Sequence, residues 1–291
     1  MNPNTRGRYM LLATAFLFST GGAAIKFCQL NSWQVAGFRS GIAAIVIGLF
    51  LKESRKGWNW RIVPVALASS ATLILFVFAT KNTTAANAIF LQATGPLYLL
   101  IAGPLLLKEP LRRSDFVVAG WIAVGMSLFF LDSTKVTITT PNPVLGNIMA
   151  ALSGVPWAST VMGVRWLSKT SGSGLAPVVL GNLITFLITL PMALPIEHFR
   201  WEDILVVVYL GLFQIGLAYV LMTRALQHVE AFAAALVMLV EPALNPVWAW
   251  IVNREYPSYQ AITGGAIILL ATTLHTIWTA GRTSQVSTKI P

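Results

Sequence analysis

Apolar runs separated by short polar gaps fill the whole chain. Ten can be marked off, at approximately 9–26, 33–51, 62–80, 85–107, 116–131, 144–167, 175–195, 203–223, 231–251 and 259–279. Most approach the ~20 residues that a helix needs to cross bilayer hydrocarbon. Backbone polar groups in lipid must be satisfied within their own segment, so the pattern predicts ten helices and not ten strands. Glycine and proline inside the runs do not forbid this, because bundle neighbours satisfy the carbonyls they free. The predicted fold class is an all-α polytopic membrane protein with ten transmembrane helices.

The pattern also repeats. Gly95-Pro96 lies inside one run, with Lys108-Glu109-Pro110 after it. Glu241-Pro242 lies inside another, with Arg254-Glu255-Tyr256-Pro257 after it. Pro96 and Pro242 stand 146 residues apart, as do Glu109 and Glu255. Leu17-Phe18-Ser19-Thr20 matches Trp157-Ala158-Ser159-Thr160 at an offset of 140. A linker over 132–143, holding Lys135, several threonines, Pro141 and Pro143, divides five runs from five. Two five-helix repeats are expected, residues 1–135 and 136–291. Five is odd, so the copies cross the bilayer in opposite orientations, an arrangement typical of secondary transporters with a substrate site where the copies meet.

Composition supports the membrane assignment. The chain is 56% hydrophobic and only 10% charged, against ~25% charged in a soluble domain. Its net charge of +10 would point to nucleic acid in a soluble protein. Here the cations lie in the gaps between runs. With the N-terminus inside, 14 Lys and Arg fall in cytoplasmic segments and 5 in outer ones, so both termini are expected in the cytoplasm. The charge then sets orientation and attracts anionic lipid, and no nucleic-acid partner is expected. Arg6, Arg8 and the first apolar run imitate a signal peptide, but the match of 17–20 to 157–160 makes this run the counterpart of a later helix. Cys28 is the sole cysteine and three histidines are scattered, so no disulfide, metal site or cofactor is expected. No phosphate-binding glycine loop is present, which leaves secondary transport rather than ATP-driven pumping.

The repeated residues resemble the EamA repeat of the drug/metabolite transporter superfamily. The first copy offers Thr83-Thr84-Ala85-Ala86-Asn87-Ala88, then Pro96, then Glu109; the second offers Ala231-Phe232-Ala233-Ala234-Ala235, then Pro242, then Glu255. Arg39 in Gly37-Phe38-Arg39-Ser40-Gly41 matches an arginine common in that family's second helix. Asn182 stands at the equivalent place in the second copy, so any ionic role of Arg39 is not duplicated. The tryptophan-rich, ten-helix form looks most like the YddG-type amino-acid exporters. The resemblance implies export of small metabolites across the bacterial cytoplasmic membrane.

Candidate site residues come from groups that fit lipid poorly. Pro96, Pro104, Pro156, Pro242 and Pro246 each remove a backbone hydrogen bond and free a carbonyl about one turn earlier. They are candidate breaks or gating points, against static kinks as the plainer reading. Asn87, Leu91, Thr94 and Tyr98 follow helical spacing, with Gln92 nearby, and so do Ala234, Met238, Glu241, Asn245 and Trp248. These stripes point to a central cavity, against simple interhelical bonding worth ~0.6 kcal/mol on average. Ser19, Thr160 and Asn182 join the expected lining. Arg39 and Glu241 are the charges within spans, each costing ~2.5–3.5 kcal/mol at midplane. Glu241 has three open readings: pairing with Arg39, holding a coupled proton, or meeting a substrate ammonium. For Arg39 a salt bridge or carbonyl contact is expected. Tyr98, Trp157 and Tyr219 are candidates for an aromatic wall.

The expected function is therefore secondary transport by alternating access, and the resemblance implies that it is export of small metabolites, most of all aromatic or other neutral amino acids. The alternative is a proton-coupled drug/metabolite antiporter. A membrane enzyme would need a cluster of His, Cys or acids at one face, which the short loops do not supply, and a receptor module would not need duplicated prolines. The partners expected are a small-molecule substrate and the lipid bilayer, with no oligomer required.

Overall fold

The computed structural model of the chain describes residues 2–93, 95, 98, 113–130, 136–170, 174–197, 200–256, 258–260, 262–267, 270–271 and 274. The described residues are helical apart from connections and one isolated bridge between Thr137 and Thr140 in the linker. In the first half run α1 (Pro3–Ser19), α2 (Gly21–Phe27), α3 (Ser32–Phe50), α4 (Ile62–Asn82), α5 (Ala85–Gln92) and α6 (Arg113–Phe130). The second half holds α7 (Pro143–Thr170), α8 (Ala176–Ala193), α9 (Trp201–Tyr209), a π-type stretch Leu210–Leu217, α10 (Ala218–Ala225), α11 (Ala231–Met238) and α12 (Val240–Asn253).

Seven stretches among the described residues are long and apolar enough to cross a membrane: Pro3–Phe27, Ser32–Phe50, Ile62–Asn82, Pro143–Thr170, Ala176–Ala193, Trp201–Ala225 and Ala231–Asn253. The chain is a multi-pass membrane protein. Of the other three expected spans, the fourth is described through Ala93 and at Gly95 and Tyr98. The fifth is the 18-residue α6, and the tenth is helical at its described positions between 259 and 274. Large apolar side chains such as Ile45, Leu49, Leu187 and Leu205 stand exposed on the outside of the bundle, where lipid receives them.

Local chemistry sets the helix starts. Asn31 opens α3 with a reciprocal cap: its Oδ1 accepts from Gln34 N at 2.9 Å, and its own N–H donates to Gln34 Oε1 at 3.0 Å. Thr84 caps α5 by accepting from Asn87 N at 3.0 Å. Such caps satisfy orphan donors that lipid cannot.

The halves pack on each other in mirrored pairs. α4 lies against α7 as α10 lies against α1, and α4 meets α8 as the π-type stretch meets α3. α5 contacts α7 as α11 and α12 contact α1, and the pair α3–α8 is its own mirror. Two apolar clusters flank the centre, one including Leu11, Leu73, Val161 and Leu226, the other Ile25, Phe76, Phe90 and Leu236.

Candidate functional site

Among the described residues, three spans are interrupted near the centre. The first breaks at Thr20, between α1 and α2, where Gly21 and Gly22 follow. The span Ala231–Asn253 breaks at Leu239 (φ −64°, ψ −9°), and α5 ends at Ala93 (φ −66°, ψ 7°). Ala93 and Leu239 are 146 residues apart, so both copies interrupt their helix at the same place. Each lies three residues before a duplicated proline. Pro242 falls in the first turn of α12, where its missing N–H is one of the groups left without an intrahelical partner in any case.

Between these breaks lies Arg39 on α3, 1% exposed. Its Nη1 donates to Gln214 Oε1 at 3.2 Å and its Nη2 to the Leu73 carbonyl at 3.2 Å, while its Nε has no partner. Gln214 belongs to the π-type stretch. There Gly216 admits the wide turn, because a Cβ on it would stand 2.9 Å from the Gly211 carbonyl oxygen. π-type turns often mark functional positions. Tyr219, one turn further on, is within electrostatic reach of both Arg39 and Glu241 and packs edge-on against Phe18 at 5.2 Å.

Glu241 is 8% exposed. Among the described residues no ion pair joins it to Arg39, whose donors go to Gln214 and Leu73. Trp157 lies beside it and fills the space a side chain on Gly95 would need: a Cβ there would stand 2.6 Å from Trp157 Cε3. Gly95 is the counterpart of Glu241 at the offset of 146, so an indole occupies one copy where the other carries a carboxyl. Gln92 Nε2 donates to Ser153 Oγ at 3.1 Å, joining α5 to α7.

These groups enclose two small adjoining spaces. One, of about 30 Å³, is lined by Phe18, Arg39, Thr72, Gln92, Trp157, Gln214, Tyr219 and Glu241 among others. The second, of about 20 Å³, adds Ala93, Met238, Leu239 and Pro242. Each is room for about one water, far below the ~300–1,000 Å³ of a typical ligand pocket.

Five residues predicted for the cavity thus meet in it: Arg39, Gln92, Trp157, Tyr219 and Glu241. Others are placed elsewhere. Ser19 and Asn245 are buried against each other, and Trp248 joins them through Nε1 to Ser19 Oγ at 2.9 Å. Asn87 is buried in the first turn of α5. Thr160 bonds back to the Pro156 carbonyl at 2.8 Å, and Asn182 to the Val178 carbonyl at 2.9 Å. Tyr98 is 39% exposed and is not part of the lining. Pro156 and Pro246, candidate breaks with static kinks as the plainer reading, lie inside the uninterrupted α7 and α12. Thr94, Pro96 and Pro104 lie outside the described residues. Sequence reasoning missed Gln214, Thr72 and Phe76. The signal for Gln214 was available: it is a lone amide in an apolar run, flanked by Gly211 and Gly216. No group of His, Cys, Asp or Glu able to hold a metal occurs among the described residues.

The described EamA-like transporter family matches this sequence twice, over residues 5–131 and 144–277. A protein of Methanothermobacter thermautotrophicus named "uncharacterized transporter" is 23% identical, covering 96% of this chain and 79% of that protein. The "biotin transporter" of Escherichia coli is 23% identical, covering 94% of this chain and 93% of that protein. A crystal structure aligns at a TM-score of 0.69 and 17% identity, over 94% of this chain and 97% of that one, which shows a shared fold.

Proposed function

Because the chain belongs to the EamA-like transporter family, we propose that it is a secondary transporter exporting small metabolites, amino acids foremost, by alternating access. The observation that carries this is the make-up of the central cavity. Arg39, Thr72 and Gln92 come from the first half; Trp157, Gln214, Tyr219 and Glu241 come from the second. A cavity walled by both halves changes its exposure whenever the halves rock against each other. The equivalent breaks at Ala93 and Leu239 give each half a place to bend beside it.

The lining favours a small zwitterion. Arg39 keeps one buried donor, Nε, unused, and a substrate carboxylate is its natural acceptor. Glu241 is available for an ammonium, and Phe18, Phe76, Trp157 and Tyr219 offer faces to an aromatic or apolar side chain. The reading includes ten spans in two inverted repeats, 1–135 and 136–291, in the bacterial cytoplasmic membrane with both termini inside. No oligomer is required by this reading, whose cavity residues come from both halves of one chain. Proton-coupled antiport is the second reading, favoured by Glu241 having no ion pair among the described residues.

A thermal-shift screen of the purified protein tests the substrate class. A true substrate at 100 times its Kd stabilises the native state by ~2.7 kcal/mol. Neutral and aromatic amino acids should raise the melting midpoint, and Trp157→Ala should remove the shift. Stabilisation by biotin or other monocarboxylates alone, with none by amino acids, would replace the zwitterion with a simple carboxylate.

A further inference from the structure

At the end of the molecule opposite the N-terminus, an ion pair ties the two halves together. Glu255 follows α12 after Arg254, which adopts a left-handed conformation (φ 55°) uncommon for a residue with a side chain. That turn sends the Glu255 carboxylate into the other half. Oε1 lies 2.8 Å from Lys26 Nζ, at the end of α2, and Oε2 accepts from Ala85 N at 3.1 Å, in the first turn of α5. The α5 N–H has no intrahelical acceptor, and a helix N-terminus favours an anion. Lys26 Nζ also donates to the Thr139 carbonyl in the linker at 2.5 Å. The paired side chains are 2% and 13% exposed.

At the other end, Arg224 and Glu53 pair at 2.9 Å with side chains 43% and 60% exposed. They border an open cleft of about 280 Å³ lined also by Arg6, Met10, Thr223 and Gln227. An exposed pair of this kind holds little. A buried pair couples its partners strongly, because separating them leaves an unpaired charge out of water.

We propose that Lys26 and Glu255 form the latch of the outer gate, which must part before the central cavity can open on that side. The geometry places Glu255 on three separate stretches of the first half and linker at once: directly on α2 and α5, and through Lys26 on Thr139. Releasing it removes the anchor these stretches share, leaving the neutral bond from Asn253 Nδ2 to the Ala23 carbonyl at 3.0 Å and that from Gln29 N to Asp203 Oδ1 at 2.8 Å. The assignment of this end as outer rests on the proposed orientation; the latch itself does not depend on which metabolite is carried.

Cys28 provides a reporter. It is the only cysteine in the sequence, two residues from Lys26, and 1% exposed. Burial pushes its thiol up to about 11, so at neutral pH it is protonated as well as covered, and it reacts slowly. The full chain in right-side-out vesicles is treated with a membrane-impermeant maleimide. Lys26→Gln and Glu255→Gln should each label at least about tenfold faster than the unaltered protein, the factor that ~1.4 kcal/mol produces. The exchanged pair Lys26→Glu/Glu255→Lys should regain protection. Should both single variants fail to fold, Glu255→Asp, which keeps the charge but shortens its reach, carries the same comparison. Unchanged labelling in folded variants would overturn the latch, and faster labelling only from the opposite face would overturn its assignment as the outer gate. Labelling needs no substrate, so silence in every transport assay alongside the expected labelling would count against the proposed function alone.

Discussion

Asn245 donates its side-chain amide to the Ser19 carbonyl at 3.0 Å, across 226 residues of sequence and from one half of the molecule to the other. Ser19 ends α1, just before the break at Thr20, where carbonyls lose their helical donors. The second half therefore supports the interruption in the first span. Gly22 permits the approach, since a Cβ there would stand 2.6 Å from Asn245 Nδ2. Asn245→Leu should lower stability by ~0.6–1.7 kcal/mol, the scale of interhelical hydrogen bonds in membranes. Gly22→Ala should cost ~1–3 kcal/mol through overpacking. Thermal melts in one detergent check both, and an unaltered Gly22→Ala midpoint would mean that the contact is loose.

Gln214 accepts from a buried guanidinium, so its loss should be felt through Arg39. Gln214→Leu is expected to destabilise by ~1–3 kcal/mol because it strands a buried donor. Arg39→Met added to it should recover part of that loss, since no donor then remains to be stranded. Melts of the two single variants and the double variant measure the coupling; strict additivity would remove this bond from the account.

The indole of Trp157 depends on Gly95 having no side chain. Gly95→Ala should destabilise by ~1–3 kcal/mol in the native background. In a Trp157→Ala background the added methyl enters vacated space, and the same change should cost little. A double-mutant cycle reads the difference, and equal costs in both backgrounds would separate the two residues.

Much of the architecture was legible because lipid leaves the chain few options. The duplicated prolines pointed to duplicated interruptions, and these fall at Ala93 and Leu239. Arg39, Gln92, Trp157, Tyr219 and Glu241 stood out as poor fits to hydrocarbon, and they converge on one cavity. The polar stripes were met in part: Met238 and Glu241 line one space across the interruption at Leu239, whereas Asn245, one turn beyond Glu241 on the same helix, donates to the Ser19 carbonyl instead. Helical spacing gives the face a residue stands on, but not which neighbouring group meets it there. Pro156 and Pro246 sit within continuous helices, as the plainer reading had them, because neighbours in a bundle tolerate a proline there. The Lys26–Glu255 pair joins residues too distant in sequence for spacing to reveal.

The cation bias predicts where the ends of the chain lie. Reporter fusions at Thr139 and at the C-terminus should give opposite signals, outside and inside respectively. Matching signals would contradict an odd number of spans in the second half.

Transport through a cavity shared by the two halves is tested most directly by counterflow in liposomes. Purified protein is reconstituted into vesicles loaded with an unlabelled amino acid, and uptake of the labelled form is followed with and without an imposed pH gradient. The expected result is saturable counterflow that Trp157→Ala strongly reduces, with no uphill accumulation driven by the pH gradient alone. Absence of saturable exchange for every metabolite tried would contradict the transport reading. Uphill accumulation driven by the gradient, abolished by Glu241→Gln while downhill exchange survives, would contradict uncoupled export and establish proton antiport, the second reading.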